Sequence, residues 1–186
     1  MHWLDHSGGA LHWPGMEIRT PRLTLRSARP DDLKAMHAVL SDPRATRWWS
    51  TPPHDSLEQT ATWLDSMIAN GPDQPDFVIE RDGVVIGKAG FWKLPEVGYI
   101  LHPDHWGQGF AGEAVAASID HVFGTRDVDD LTADVDPENT ASIRLLERLG
   151  FVKTGFAERT WEVGGEWKDS LYYGLSRADW SARQRT

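Results

Sequence analysis

Apolar residues recur along the chain with two periods, and these periods predict its helices and strands. Apolar positions three or four residues apart predict four helices, at 31–40, 56–70, 110–123 and 139–150. Alternating positions and short apolar runs between turn residues predict strands. These strands lie at 17–28, in a hairpin over 76–94, and at 96–102, 129–136, roughly 151–161 and 166–176.

Turn and cap residues separate these segments. Asp82-Gly83 predicts the turn of a hairpin, and Gly150 predicts the C-terminal cap of the last helix. Gly164-Gly165 joins the last two strands. The element order β-α-α-β-β-β-α-β-α-β-β predicts an α/β (α+β) fold. Its mixed central sheet would have about seven strands, flanked on both faces by about four helices.

The chain length of 186 residues suits one domain, which we expect over 16–180. Residues 1–15 carry Gly-Gly and Pro-Gly pairs and predict a loose N-terminal extension, for which both an ordered and a disordered state stay open. They lack the basic start and apolar core of a signal peptide. No apolar run approaches membrane-spanning length, so no membrane partner is expected.

Composition narrows the classes of partner and chemistry. A net charge of −9 disfavours nucleic acid, because phosphate neutralisation needs clustered Lys and Arg. The absence of cysteine excludes disulfides and a thiol nucleophile, and it fits a cytoplasmic location. His102 and His105 lack a third ligand at suitable spacing, so no metal site is expected.

Three glycines precede the predicted helix at 110–123. Gly107, Gly109 and Gly112 spell G-x-G-x-x-G. Glycine lets the backbone approach a ligand closely, and free N–H groups at a helix N-terminus favour an anion. The pattern therefore predicts a bound phosphate or pyrophosphate. The alternative is a glycine-rich turn that serves only helix–strand packing.

The context of these glycines argues against a dinucleotide site. Asp129 and Asp130 follow at about the distance of a ribose-binding acid. However, residues 103–106 separate the predicted strand from the first glycine, and too few residues follow to complete a dinucleotide domain. No Gly-Lys-Ser/Thr of a Walker loop and no G-x-S-x-G of a serine hydrolase occurs.

Two longer motifs give a more specific indication. The stretches "GYILHPDHWGQGFAGEAV" (98–115) and "NTASIRLLERLGFVKTG" (139–155) together resemble the GNAT acetyltransferase superfamily. In detail they resemble its ribosomal-protein N-terminal acetyltransferase (RimJ/RimL-like) branch. Trp106 stands where many relatives have Arg or Gln before the first glycine, which suits this branch. The resemblance spans about 16–176 and implies a GNAT fold whose sheet is splayed at a CoA slot.

The resemblance implies direct transfer of an acetyl group from acetyl-CoA to an amine, without a metal. It implies a pyrophosphate cradle in the amides of 107–112, and backbone pairing of the pantetheine with the preceding strand end. Asn139 would bind the pantetheine or the thioester region. The residues so implied for acetyl-CoA binding are Leu101, His102, Gly107, Gln108, Gly109, Phe110, Ala111, Gly112, Asn139 and Ser142.

Two residues are candidates for proton transfer. An amine attacks only when neutral, so a base is useful, and Glu96 at the start of the strand before the glycines is the preferred base. Ser142 is the preferred acid or thiolate partner, because Leu146 stands where many GNAT enzymes have a tyrosine. The alternatives are a solvated carboxylate at Glu96 and a helix-capping serine at Ser142.

The acceptor side is less defined. Trp48, Trp49 and His54 are expected to shape the acceptor cleft, with one of the two adjacent tryptophans lining a pocket, or else to pack in the core. Tyr99 and Trp92 are expected in the core. A protein N-terminus is the first acceptor considered, and a small amine the next. A homodimer is possible. The alternative function is a non-catalytic acyl-CoA-binding regulatory module on the same fold.

Overall fold

The computed structural model describes residues 16–70 and 74–184, so the predicted extension at 1–15 lies outside the described residues. The described chain contains eight strands. They are β1 (Glu17–Arg19), β2 (Thr24–Arg26), β3 (Asp76–Arg81), β4 (Val84–Lys93), β5 (Glu96–Leu101), β6 (Asp130–Val135), β7 (Val152–Val163) and β8 (Glu166–Ser176). It also contains six α-helices. They are α1 (Leu33–Leu40), α2 (Pro43–Thr46), α3 (Leu57–Ala69), α4 (Phe110–Thr125), α5 (Thr140–Leu149) and α6 (Arg177–Arg183).

The strands form one mixed sheet in the order β1-β2-β3-β4-β5-β6-β8-β7. All neighbours are antiparallel except β5 and β6, which are parallel and share a single residue pair, Glu96 with Thr132. The amide of Thr132 donates to the carbonyl of Pro95 at 3.0 Å. Because no further pair follows, the two strands part beyond this point. The predicted splayed sheet is therefore present at the predicted pair of strands.

Helices cover both faces of the sheet, as the element order predicts. The larger core joins the sheet to α4, with Phe91, Ile119 and Leu131 fully buried. The smaller core joins it to α1 through Met36 and Ile100. Alternation along β5 explains this division, because successive side chains of a strand point to opposite faces.

Several sequence predictions are confirmed, and three need correction. The turn at Asp82-Gly83 and the left-handed Gly150 cap are present. The predicted strand at 17–28 is instead a pair of antiparallel strands, β1 and β2, because the amide of Thr20 donates to the carbonyl of Leu23 and closes a turn. Helices α2 and α6 were not predicted, since four and seven residues are too short to show a helical period.

Candidate active site

A cavity of about 1330 Å³ opens where β5 and β6 part. Its wall comprises β5, the N-terminal turns of α4 and α5, the loop at 44–51 and part of β7. Of the residues predicted for donor binding and catalysis, all but His102 and Gln108 line it. The cavity thus brings together residues from both sequence motifs.

The glycine loop is shaped for a ligand at the start of α4. Gly107 and Gly109 have φ of 71° and 82°, a left-handed conformation that favours glycine. A Cβ added at Gly107 would meet no atom within 4 Å. The first helical hydrogen bond of α4 runs from the amide of Glu113 to the carbonyl of Gly109, so the amides just before Glu113 have no helical acceptor. The loop therefore fits an anionic group such as a pyrophosphate.

Two arginines that sequence reasoning missed flank this loop. Arg22 donates to the carbonyl of Gln108 at 2.9 Å and pairs with Glu113 at 2.6 Å. The guanidinium groups of Arg22 and Arg81 each lie 4.6 Å from the ring centre of Phe110. Although Arg22 also pairs with Glu113 and Arg81 lies 3.5 Å from the Asp82 carboxylate, each guanidinium group has further N–H donors that could serve an anion beside the loop. Because the two arginines lie far from the glycines in sequence, no local motif indicates them.

The end of β5 is only partly free for a ligand. The amide of His102 donates to Ile86, and its carbonyl accepts from the amide of His105. The Leu101 carbonyl accepts from Trp106 Nε1 at 2.9 Å. Each carbonyl oxygen has a second lone pair that can accept one further hydrogen bond. Pairing of the pantetheine at Leu101 and His102 is therefore compatible with these contacts and stays a prediction.

The N-terminus of α5 presents Ser142 to the cavity. Asn139 caps this helix, with its Oδ1 accepting from the amide of Ser142 at 3.1 Å. The hydroxyl of Ser142 lies 2.5 Å from the hydroxyl of Tyr99 on β5. Burial raises the pKa of Tyr99 to about 12, and the hydrogen bond to Ser142 opposes this shift.

The expectation that Tyr99 and Trp92 fill the core is only partly met. The Tyr99 ring packs against the core, but its hydroxyl reaches the cavity wall. Trp92 is 43% exposed, so its assignment to the core was wrong. Alternation in β5 was the available signal for Tyr99. It places Tyr99 on the same face as Val97 and Leu101, toward α4 and α5.

Two carboxylates face each other across the start of the slot. Glu96 pairs with Thr132, and Asp134 is two residues further along β6, on the face that Thr132 shares. Although both side chains are accessible, the surrounding protein partly desolvates them. This desolvation, followed by the charge of Asp134, raises the pKa of Glu96. Desolvation likewise raises the pKa of Asp134, against a 2.9 Å hydrogen bond from Ser170. A carboxylate with a raised pKa is a better proton acceptor.

The far end of the cavity has an aromatic wall. Six indole rings line the cavity: those of Trp48, Trp49, Trp63, Trp92, Trp106 and Trp161. The Nε1 atoms of Trp49 and Trp161 are buried and have no hydrogen-bond partner among the described residues. Both adjacent tryptophans of the early loop therefore border the predicted acceptor cleft, whereas only one was expected to.

His54 does not line the cavity but anchors this loop from behind. It is 4% exposed, and its Nδ1 lies 2.9 Å from the hydroxyl of Thr60 on α3. Two acids of the hairpin formed by β7 and β8 have partners within that hairpin. Glu166 pairs with Lys168, and Asp169 accepts from the amide of Arg159.

Metal-site and membrane-span searches give no candidate in 16–70 and 74–184. No three or more His, Cys, Asp or Glu side chains are grouped to bind a metal ion. No helix in these ranges is long and apolar enough to cross a membrane.

Comparison with known proteins identifies the family. The sequence model described as "Acetyltransferase (GNAT) domain" matches residues 22–152. The chain belongs to the GNAT acetyltransferase family. The GNAT fold and the acyltransferase interpretation are thereby confirmed.

Individual relatives agree with this assignment. The chain is 30% identical over 174 residues to the uncharacterised N-acetyltransferase p20 of Bacillus licheniformis, covering 88% of this chain and 98% of that protein. It is 24% identical over 171 residues to the spermidine N(1)-acetyltransferase of Escherichia coli K12, covering 87% and 90%. The structure of the ribosomal L7/L12 α-N-protein acetyltransferase RimL in complex with coenzyme A has a similar fold. Its TM-score is 0.75 at 20% identity, covering 87% of this chain and 98% of that chain.

Proposed function

We propose that this GNAT enzyme transfers the acetyl group of acetyl-CoA to the α-amine of a peptide or protein N-terminus. The domain at 16–180 would carry both binding sites. One observation carries the proposal. The same cavity holds two carboxylates for an amine, Glu96 and Asp134, and an apolar wall of indole rings that includes Trp49 and Trp161. An α-amine that carries side chains and a peptide chain, as at a protein N-terminus, matches both features.

The donor side fits acetyl-CoA, which supplies the thioester-activated acetyl group. The free amides before Glu113 and the guanidinium groups of Arg22 and Arg81 suit the charge of a pyrophosphate. The gap between β5 and β6 suits the extended pantetheine arm. Asn139 and Ser142, at the other wall of the cavity, would border the thioester end of that arm.

Glu96 would remove the proton that prevents the amine from attacking. An α-amino group has a pKa near 8, so about a tenth of it is neutral at pH 7, against far less of a lysine amine near pKa 10.4. The raised pKa of Glu96 brings the carboxylate closer to the amine in proton affinity. Transfer could run directly or through one water. The negative charge of Asp134 would hold the incoming ammonium group nearby.

The indole rings favour a peptide over a polyamine. Six rings give the cavity a large apolar surface, against which the side chains and backbone of a peptide can pack. A polyamine has only short methylene segments between its ammonium groups, so it would leave most of this surface uncovered.

A polyamine is the second candidate, because a third acid supports it. Asp136 also lines the cavity, and with Glu96 and Asp134 it gives three carboxylates along one wall. Such a row would suit an acceptor with several ammonium groups. The relationship to the spermidine acetyltransferase is consistent with this reading.

The deciding experiment is an acceptor screen at constant acetyl-CoA, following CoA release with a thiol reagent. The panel contains short peptides with different first residues, the same peptides with a blocked N-terminus, spermidine, and a simple alkylamine. We expect turnover with free peptides and none with the blocked forms. Turnover of spermidine well above that of every peptide would replace the proposal by the second candidate.

A further inference from the structure

We infer that Tyr99 is a positioning residue for acetyl transfer, because it directs the proton of the Ser142 hydroxyl into the cavity. This inference rests on the proposed function, since it concerns how Ser142 would meet the departing sulfur. Neither sequence motif assigns Tyr99 such a role.

The contact joins two elements that are distant in sequence. Tyr99 belongs to β5, and Ser142 lies in the first turn of α5, with 2.5 Å between the two hydroxyl oxygens. Both residues line the cavity. The backbone of Ser142 is fixed separately, because its amide donates to Asn139 Oδ1. The Tyr99 hydroxyl therefore contacts the part of Ser142 that could still rotate.

A count of protons gives the direction of this hydrogen bond. Each hydroxyl has one proton to donate and lone pairs to accept. Among the described contacts, each hydroxyl oxygen bonds only the other. If Ser142 donated, the phenol proton of Tyr99 would lack an acceptor among the described residues. If Tyr99 donates, the Ser142 proton is left free toward the open cavity, so this is the arrangement that pairs both groups.

The phenol remains a donor over the working pH range. Burial raises the pKa of Tyr99 to about 12, so the group stays protonated well above neutral pH. The same shift makes Tyr99 a poor proton source for a thiolate, because a thiol has a pKa near 8.5. Its effect is thus to orient Ser142 rather than to act as the acid.

The reaction balances with this arrangement. The amine nitrogen forms a bond to the acetyl carbon, the carbon–sulfur bond breaks, and the bonding pair leaves with sulfur. The proton lost by the amine goes to Glu96. The Ser142 hydroxyl donates a hydrogen bond to the sulfur as charge develops there, and CoA leaves as the thiolate or takes a proton from water.

The test is a double-mutant cycle on the full chain, with an acceptor found in the screen. We expect Tyr99→Phe and Ser142→Ala each to lower kcat about tenfold, with the KM for acetyl-CoA within about twofold of wild type. The double variant should be no slower than Ser142→Ala alone, because Tyr99 acts through Ser142. Ser142→Thr keeps a hydroxyl, so it should be faster than Ser142→Ala when Tyr99 is present and fall to the Ser142→Ala level with Tyr99→Phe.

A matched control is Tyr173→Phe, which removes another buried phenol, one that bonds Glu147 and does not line the cavity. It should leave kcat unchanged. The inference would be overturned if the loss of kcat in the double variant equalled the product of the two single losses, or if Tyr99→Phe were fully active. Either result would leave the proposed function in place. A wild-type chain inert toward every amine would overturn both. If Tyr99→Phe does not fold, Tyr99→Met removes the same hydroxyl with another apolar side chain, and full activity of that variant overturns the inference.

Discussion

The two ends of the cavity are built in different ways. The donor half, comprising Leu101 and the loop at 107–112, presents backbone groups positioned by glycines of unusual conformation. The acceptor half, comprising the loop at 44–51, Asp134 and Trp161, presents indole rings and a carboxylate from separate elements. One half is defined by main-chain geometry and the other by side chains.

This difference determines how freely substitutions can change the ligand of each half. A backbone site needs glycine at fixed positions, and it recognises the invariant part of the donor through its charge. A side-chain site can change its ligand by substitution without altering the fold. Under the proposed function, the donor half would be shared by enzymes that use acetyl-CoA, and the acceptor half would determine which amine is used.

The largest expected effect lies where the halves meet, at Glu96. We expect Glu96→Gln to lower kcat by about 100-fold or more, because an amide cannot accept the amine proton. The affinity for CoA, measured by calorimetry, should not change. Wild-type activity should fall on the acid side of its pH profile. The pKa of Glu96 is raised, so the base becomes protonated as the pH drops through that raised value.

Asp134→Asn tests whether the pH profile reports the pKa of Glu96. Removing its charge lowers the pKa of Glu96, so the acid limb of the profile should move to lower pH. Glu166→Gln, which changes a fully exposed acid on the last hairpin, is the control and should leave the profile unchanged. Wild-type kcat in Glu96→Gln would place the base elsewhere.

Sequence patterns indicated the glycine loop but not the side chains that surround it and the rest of the cavity, and the reason is locality. Gly109 and Gly150 have left-handed φ angles that the neighbouring sequence alone indicates. Arg22, Trp161 and Tyr99 take part through contacts with residues tens of positions away, which only the folded sheet brings together. The roles assigned to Glu96 and Ser142 remain predictions, although the cavity brings both together.

A substitution at Gly109 should weaken acetyl-CoA binding without affecting acceptor binding. Gly109→Ala places a side chain at φ 82°, and the added Cβ would lie 3.4 Å from the Arg22 guanidinium. We expect a loss of stability of about 1–2 kcal/mol and at least a tenfold weaker affinity for CoA. The acceptor KM should change little.

Gly165→Ala separates strain from binding. Gly165 has φ 86° in the turn between β7 and β8, and an added Cβ there meets no atom within 4 Å. It should cost similar stability in urea unfolding while CoA affinity stays at the wild-type level. Equal losses of CoA affinity in the two variants would mean that strain, and not the cradle, controls binding.

Removing one indole ring should impair acceptor binding alone. Trp161→Ala removes a ring that lines the cavity. Because truncating a well-packed contact residue costs about 1 kcal/mol or more, we expect the peptide KM to rise about fivefold or more with CoA affinity unchanged. Trp167→Ala, on the same hairpin but 48% exposed and stacked on Arg159, is the control. Equal peptide KM values in the two variants would show that the Trp161 ring does not contact the acceptor.

The smallest effect is a pH dependence of stability that originates behind the acceptor half. Burial lowers the pKa of His54, so the unfolded chain, with a histidine pKa near 6.5, binds a proton more readily than the folded chain. Stability contributed by His54 is complete above about pH 6.5 and is lost as the pH falls toward its lowered folded value. Urea unfolding at pH 7.5 and 5.5 should therefore show a smaller loss for His54→Gln than for wild type. Part of the slope should persist, because burial also lowers the pKa of His105 and His121. An identical slope in the variant would show that the His54–Thr60 anchor of the acceptor loop does not respond to pH.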